Sequence, residues 1–261
     1  MAFASASRMD NDPEIKEDAL FNYALATYEL SYSPFNEAIQ AFNDYIKLYP
    51  SSKRTDEAYK YLMQAYLNAK NYRLALSSID KISKKNDDIK KAYQKISYYR
   101  ALELFNNLKF NEALELLNGS LKYGSLNNKI YALAYYWKGE AFYRLKDYDK
   151  AIAEHKKFIN MPVSYYEEEF NLAHYNLGYA CFKKENYSEA ALWFRKFTGF
   201  MKGNITKRVG DAFNRIGDCY FIRTDYYAAI EYYDRIIKSY TTAADYAIFQ
   251  KGLALGVINK F

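Results

Sequence analysis

Apolar side chains along this chain recur at helical intervals, and the pattern itself repeats with a longer period. Three segments align without gaps: Gly139, Tyr148 and Ala151; Gly178, Tyr187 and Ala190; Gly217, Tyr226 and Ala229. The same frame extends upstream through Ala101/Phe110/Ala113, Met63/Tyr72/Ala75 and Ala26/Phe35/Ala38, and downstream to Gly252/Phe261. Steps between the first members of these sets are 37, 38, 38, 39, 39 and 35 residues. A small residue, an aromatic nine positions on and an alanine three further span two helices and the turn between them. Apolar residues continue after the alanine, as in Ala190-Ala191-Phe194 and Ala229-Ile230-Tyr233. The predicted fold is all-α, six helical hairpins and the first helix of a seventh.

Within each hairpin the small residue and the alanine are expected where the helix backbones approach most closely. The positions singled out are Ala38, Ala75, Ala113, Gly139, Ala151, Gly178, Ala190, Gly217 and Ala229. Glycine inside a helix costs about 1 kcal/mol relative to alanine, so its recurrence at one frame position points to a packing requirement. Asn71, Asp147, Asn186 and Asp225 each precede the aromatic, where a cap for the second helix belongs. Ser33-Pro34 is the expected equivalent in the first hairpin. Met63, Lys138 and Ser120 depart from the pattern and predict less regular packing.

These residues resemble the tetratricopeptide repeat (TPR) family, whose pattern has Leu-Gly, an aromatic, a Tyr after the turn and an Ala opening the second helix. Leu177-Gly178 and Ile216-Gly217 match the Leu-Gly element. Tyr220 matches the first-helix aromatic, and Cys181 replaces it one repeat earlier. The resemblance covers roughly residues 14–261 and implies an α-solenoid wound as a right-handed superhelix. The family repeat is about 34 residues. The extra residues here fall between repeats, near 83–88, 123–128 and 161–169, and fit either longer second helices or longer loops. Residues 1–13 read as the remnant of a preceding repeat and its loop, and Phe261 as the aromatic of a helix that does not follow. A fragment of a longer repeat protein, or a C-terminal end that pairs with another molecule, is therefore expected. Phe249, Leu253, Leu255 and Val257 supply the unpartnered apolar surface.

In the TPR family the first helices line a concave face. Counting from the small residue, positions three before and one, four and five after point into it. The resulting aromatic stripe contains Tyr98, Phe105, Tyr136, Tyr143, Tyr175, Tyr179, Phe182 and Phe221; Asn214 and Asp218 fall on the same rows. Tyrosine there offers a large contact area, a low entropy cost and a hydrogen-bonding tip. Packing of some rings against neighbouring helices remains the alternative. Lys60, Gln64 and Asn68 only faintly resemble the carboxylate clamp of some TPR proteins, because the next repeat has Tyr98, Leu102 and Asn106 in their places. Arg144 and Lys183 are further candidates for holding an acidic group.

Composition narrows the function classes. Of 261 residues 30 are Tyr and 17 Phe, while only 10 are Gly and 4 Pro, which favours long helices over an all-β fold. The net charge of +6 comes from mixed signs and gives no nucleic-acid footprint. No apolar run approaches the ~20 residues of a membrane span. His155 and His174 read as buried packing residues, and Cys181 and Cys219 as core, with their pairing open. Neither pair, nor any nucleotide or hydrolase motif, indicates a metal, cofactor or enzyme.

The expected function is a non-catalytic scaffold that binds a protein or peptide ligand. The alternatives are an assembly module self-associating through its open C-terminal end and a cytoplasmic adaptor. Tyr49-Pro50-Ser51-Ser52 with Asp56-Glu57-Ala58-Tyr59 resembles a junction in bacterial envelope TPR proteins, such as the lipoprotein of the outer-membrane β-barrel assembly machinery and the Tol–Pal coordinator. The preferred location is accordingly the bacterial periplasm.

Overall fold

The computed structural model describes residues 12–30, 35–201, 206–238 and 244–259. The expectations for residues 2–9, the Ser33-Pro34 cap and Phe261 fall outside them. Among the described residues are thirteen α-helices, two short 3-10 turns and no strand. They run as hairpins: α1 (Pro13–Leu30) with α2 (Asn36–Leu48), α3 (Thr55–Asn68) with α4 (Tyr72–Lys81), and α5 (Asp87–Asn106) with α6 (Phe110–Leu121). Then come α7 (Asn128–Arg144) with α8 (Tyr148–Ile159), α9 (Glu169–Lys183) with α10 (Tyr187–Phe200), α11 (Lys207–Ile222) with α12 (Tyr226–Ile237), and α13 (Ala244–Val257). The chain forms two compact units, residues 1–131 and 132–261. Within each unit consecutive helices pack together, and α1 on α3 and α11 on α13 extend the stack. The fold is an α-solenoid.

The extra residues between repeats are loops and 3-10 turns rather than longer helices. Residues 124–126 and 162–166 form the two turns, and Asn86 caps α5 by accepting from the Ile89 amide.

Local chemistry fixes four of the six hairpin turns twice over. At the end of α3 the Lys70 amide donates to Leu67 O and the Asn71 amide to Tyr66 O, with Lys70 at φ 55°. This paired closure satisfies two of the carbonyls a helix end leaves open. Asn71 then accepts from the Leu74 amide through its side chain, so one residue ends α3 and caps α4. The closure recurs with Leu108, Lys146, Glu185 and Thr224 in the left-handed position. Asp147, Asn186 and Asp225 repeat the cap, accepting from Lys150, Glu189 and Ala228 amides. Lys109 stands at the cap position of α6 and makes no such bond. The first hairpin differs: Phe35 itself is left-handed at φ 61°, and α2 begins one residue later.

All six frame alanines are fully buried. Four residues after each comes Phe42, Ile79, Leu117, His155, Phe194 or Tyr233, each at most 1% exposed. In the later hairpins that side chain explains the glycine. A Cβ built on Gly178 would lie 2.6, 2.7 and 2.8 Å from three adjacent ring atoms of Phe194. On Gly217 it would meet three atoms of Tyr233 at 2.4–2.8 Å, and on Gly139 three of His155 at 2.7 Å. Three near-equal distances mean that the ring face, not its edge, covers the glycine. A ring thus excludes the side chain, where the sequence had pointed to contact between helix backbones. Earlier hairpins have a bulkier frame residue and a smaller partner: Met63 with Ile79 in one core cluster, and Ala101 with Leu117. Ala26 is only half-buried, and Ala24 fills the core beside it.

The departures from the repeat pattern are absorbed. Met63 is 2% exposed, and buried Ser120 donates from Oγ to Gln94 O at 2.8 Å. Lys138 reaches Glu154 at 3.5 Å from a position that is leucine or isoleucine in the next two repeats.

Gly178→Ala is expected to destabilise unit 2 by ~1–2 kcal/mol, overpacking outweighing the gain in helix propensity. In a Phe194→Leu background the same change should be neutral or stabilising. Denaturant unfolding of the double-mutant cycle checks this, and additive effects would contradict the ring-on-glycine contact.

Candidate functional site

Four first-helix rings of unit 2 converge on one cavity of about 330 Å³. Helix α7 contributes Tyr136, Glu140, Tyr143 and Arg144. These stand three before and one, four and five after Gly139, the rows expected to face a ligand. Helix α9 adds Leu172, Tyr175, Asn176 and Tyr179, and α11 adds Arg208. Periodicity explains the convergence: residues three or four apart share one helix face, and the repeat sets such faces side by side.

Inside the site the hydroxyls are largely spent on the scaffold. Tyr175 Oη donates to Asp211 Oδ2 at 2.7 Å, and Tyr179 Oη donates to the same oxygen. Asn176 Nδ2 donates to Tyr136 Oη at 3.3 Å and also to Glu140 Oε1. Burial raises the Tyr136, Tyr143, Tyr175 and Tyr179 hydroxyls above their ordinary values, reinforced at Tyr136 by Glu140 and at Tyr175 and Tyr179 by Asp211. All four therefore stay protonated at neutral pH. Tyr175 and Tyr179 also cross edge to face at 5.0 Å, so each is held by a ring and by a bond.

The remaining members of the predicted stripe lie elsewhere. Tyr98 and Phe105 belong to unit 1: Tyr98 is 5% exposed and edge-on to Tyr99, and Phe105 packs edge-on against Phe110. Phe182 and Phe221 are half-buried against Tyr187 and Tyr226. Lys183 is exposed and outside the cavity. Asn214 and Asp218 are buried by the fold instead of facing a ligand. Asp218 accepts from Tyr233 at 2.8 Å and from Tyr246 at 3.0 Å, and pairs with Arg215 at 2.8 Å. Burial raises its carboxyl despite these partners. In unit 1, Lys60 and Gln64 line a larger cavity of about 510 Å³ with Tyr28 and Asp88. It gathers fewer rings and offsets its lysine with an aspartate.

Sequence reasoning missed Leu172, Asn176, Arg208 and Asp211. Arg208 stands nine residues before Gly217, in the first turn of α11, outside the rows counted from the glycine.

Sequence models of the tetratricopeptide repeat match residues 18–52, 98–156, 164–200 and 210–241. The chain belongs to the tetratricopeptide repeat family. No curated protein sequence matches it. Among solved structures, this TPR chain is similar to YrrB, a TPR protein with an unusual peptide-binding site. That likeness has 18% identity and a TM-score of 0.54, covering 80% of this chain and 98% of that one. The STAND protein PH0952 of Pyrococcus horikoshii, with a TPR sensor, gives 17% and 0.56 over 95% of this chain and 42% of its own. At these identities the likeness is one of fold.

The histidines and cysteines pack in the TPR core. His174 Nδ1 donates to Phe170 O at 2.9 Å among Phe170, Trp193 and Phe200, and desolvation lowers its pKa. His155 is fully buried, its Nε2 3.3 Å from Glu140 Oε1. Cys181 and Cys219 are free thiols, fully buried, and burial pushes both up to about 12. Among the described residues no helix is long and apolar enough to cross a membrane. Both thiols should resist iodoacetamide in the native chain at mildly alkaline pH and react once it is unfolded. Mass spectrometry checks this, and rapid native labelling would place a thiol outside the core.

Proposed function

We propose that the protein is a non-catalytic scaffold that holds polypeptide segments on the first-helix face of unit 2, with Tyr143, Tyr175 and Tyr179 as the contact surface and Tyr136, only 5% exposed and packed on His155 and Phe158, as the floor beneath them. The observation that carries this reading is their convergence on one open cavity whose walls are already hydrogen-bonded. Such rings are ordered before a ligand arrives, so little side-chain entropy is lost on binding. With the Tyr175 and Tyr179 hydroxyls committed to Asp211, these rings offer mainly apolar area, while no such bond among the described residues ties up the Tyr143 hydroxyl. YrrB, alike in fold, is a TPR protein with a peptide-binding site, which is consistent with the proposal.

Tyr143 makes the cleanest test because it lines the cavity while packing mainly on the Tyr148 ring. Selection from a displayed library of random peptides should enrich a shared sequence pattern with the parent chain. Tyr143→Ala should weaken the selected peptides by about 30-fold, the effect of losing ~2 kcal/mol at an aromatic anchor. Helical circular dichroism should be unchanged. Equal binding by the variant would contradict the assignment of the cavity.

A second reading, self-association, is favoured by one feature. Ile248, Phe249, Leu253 and Val257 of α13 are 45–63% exposed, an apolar face on a single helix. Sedimentation should then show concentration-dependent dimers that Leu253→Glu abolishes. A monomer at all concentrations would exclude this route. The envelope location rests on the Tyr49–Tyr59 junction alone, and cell fractionation tests it.

A further inference from the structure

Charge at the mouth of this cavity points to the class of segment it takes. Arg144 closes α7 and Arg208 lies in the first turn of α11, and both are exposed while lining the same space. Neither guanidinium pairs with a carboxylate among the described residues; Arg208 lies over the Tyr175 ring, 5.7 Å from its centroid. The neighbouring carboxylates are already engaged. Asp211 accepts from Tyr175 and Tyr179 and faces Arg215 at 3.8 Å. Glu140 accepts from Asn176. Internal donors thus hold Asp211 and Glu140 away from ion pairing with Arg144 or Arg208, and the two guanidiniums stay open to a ligand beside Glu140 in the cavity wall.

Their positions separate them. Arg144 stands in the last turn of α7 and Arg208 in the first turn of α11, two repeats on, so different helices present them. A single terminal carboxylate engages one such cation, whereas an acidic stretch engages both. Guanidinium also suits the planar carboxylate better than ammonium does, through paired N–H donors.

We propose that the cavity selects acidic polypeptide segments, with glutamate or aspartate side chains held by Arg144 and Arg208 and apolar side chains seated on Tyr143, Tyr175 and Tyr179. This rests on the reading of the cavity as a polypeptide site and adds what that site recognises.

The test uses the full chain and short fluorescein-labelled peptides of equal length. All carry the same spaced Leu and Phe residues, with Glu, Gln or Lys between them and amidated C-termini; a further Gln peptide keeps its C-terminal carboxylate. By fluorescence anisotropy at low salt the Glu peptide should bind about tenfold tighter than its amidated Gln counterpart, as charge-assisted hydrogen bonds warrant. Added salt should erode the difference. Arg144→Gln and Arg208→Gln should each weaken the Glu peptide about threefold or more and leave the Gln peptide unchanged. Both side chains are exposed, so thermal melts should match the parent.

Equal Glu and Gln affinities that both fall with Tyr143→Ala would overturn acidic selection while leaving the polypeptide site standing. Tightest binding of the Lys peptide would overturn it likewise. A carboxylate-ended Gln peptide matching the Glu peptide would transfer recognition to chain termini and overturn the commitment to side chains. Failure of every peptide to bind would overturn both proposals.

Discussion

An aromatic ring laid flat on a helical glycine is the contact on which the regularity of unit 2 depends. Phe194 covers Gly178 and Tyr233 covers Gly217, with the His155 imidazole in the same relation to Gly139. Because the ring occupies the volume of a Cβ, the two helices of a hairpin have one depth of approach and one rotation. That fixes which first-helix residues point away from the partner helix, and so fixes the row that bears Tyr136, Tyr143, Tyr175 and Tyr179. Unit 1 reaches the same end with other volumes, Met63 beside Ile79 and Ala101 in register with Leu117.

The turns complete the constraint. A left-handed residue followed by a side-chain cap satisfies the carbonyls that end one helix and an amide that begins the next. Four turns combine both, and these four and the Leu108 turn place Lys, Leu, Glu or Thr where glycine would cost least. Packing of the hairpin therefore supplies what the turn residue lacks.

Much of this was legible in the sequence. Alanine at one frame position reported the close core, and Asn71, Asp147, Asn186 and Asp225 reported the caps, because both follow from local geometry. All four positions counted from Gly139 line one cavity. Counting failed at Asn214 and Asp218, where α13 packs over the row and Tyr246 reaches Asp218; no periodicity within α11 carries that information. It failed also at Arg208 and Asp211, whose roles depend on which neighbouring helix their side chains meet. The glycines were rightly read as a packing demand, but the object demanding space was a ring on the other helix, visible only in three dimensions.

Ring position over glycine can be read directly by solution NMR, since protons above an aromatic face are shielded by its ring current. Gly199 and Gly252 have nothing within 4 Å of the point where a Cβ would stand, and serve as internal references. Face-on stacking predicts that one Hα of Gly178 and one of Gly217 resonate well upfield of both references, and that the displacement at Gly178 disappears in Phe194→Leu. Gly178 and Gly217 Hα shifts indistinguishable from those of Gly199 and Gly252 would contradict the packing on which the solenoid and its cavity are built.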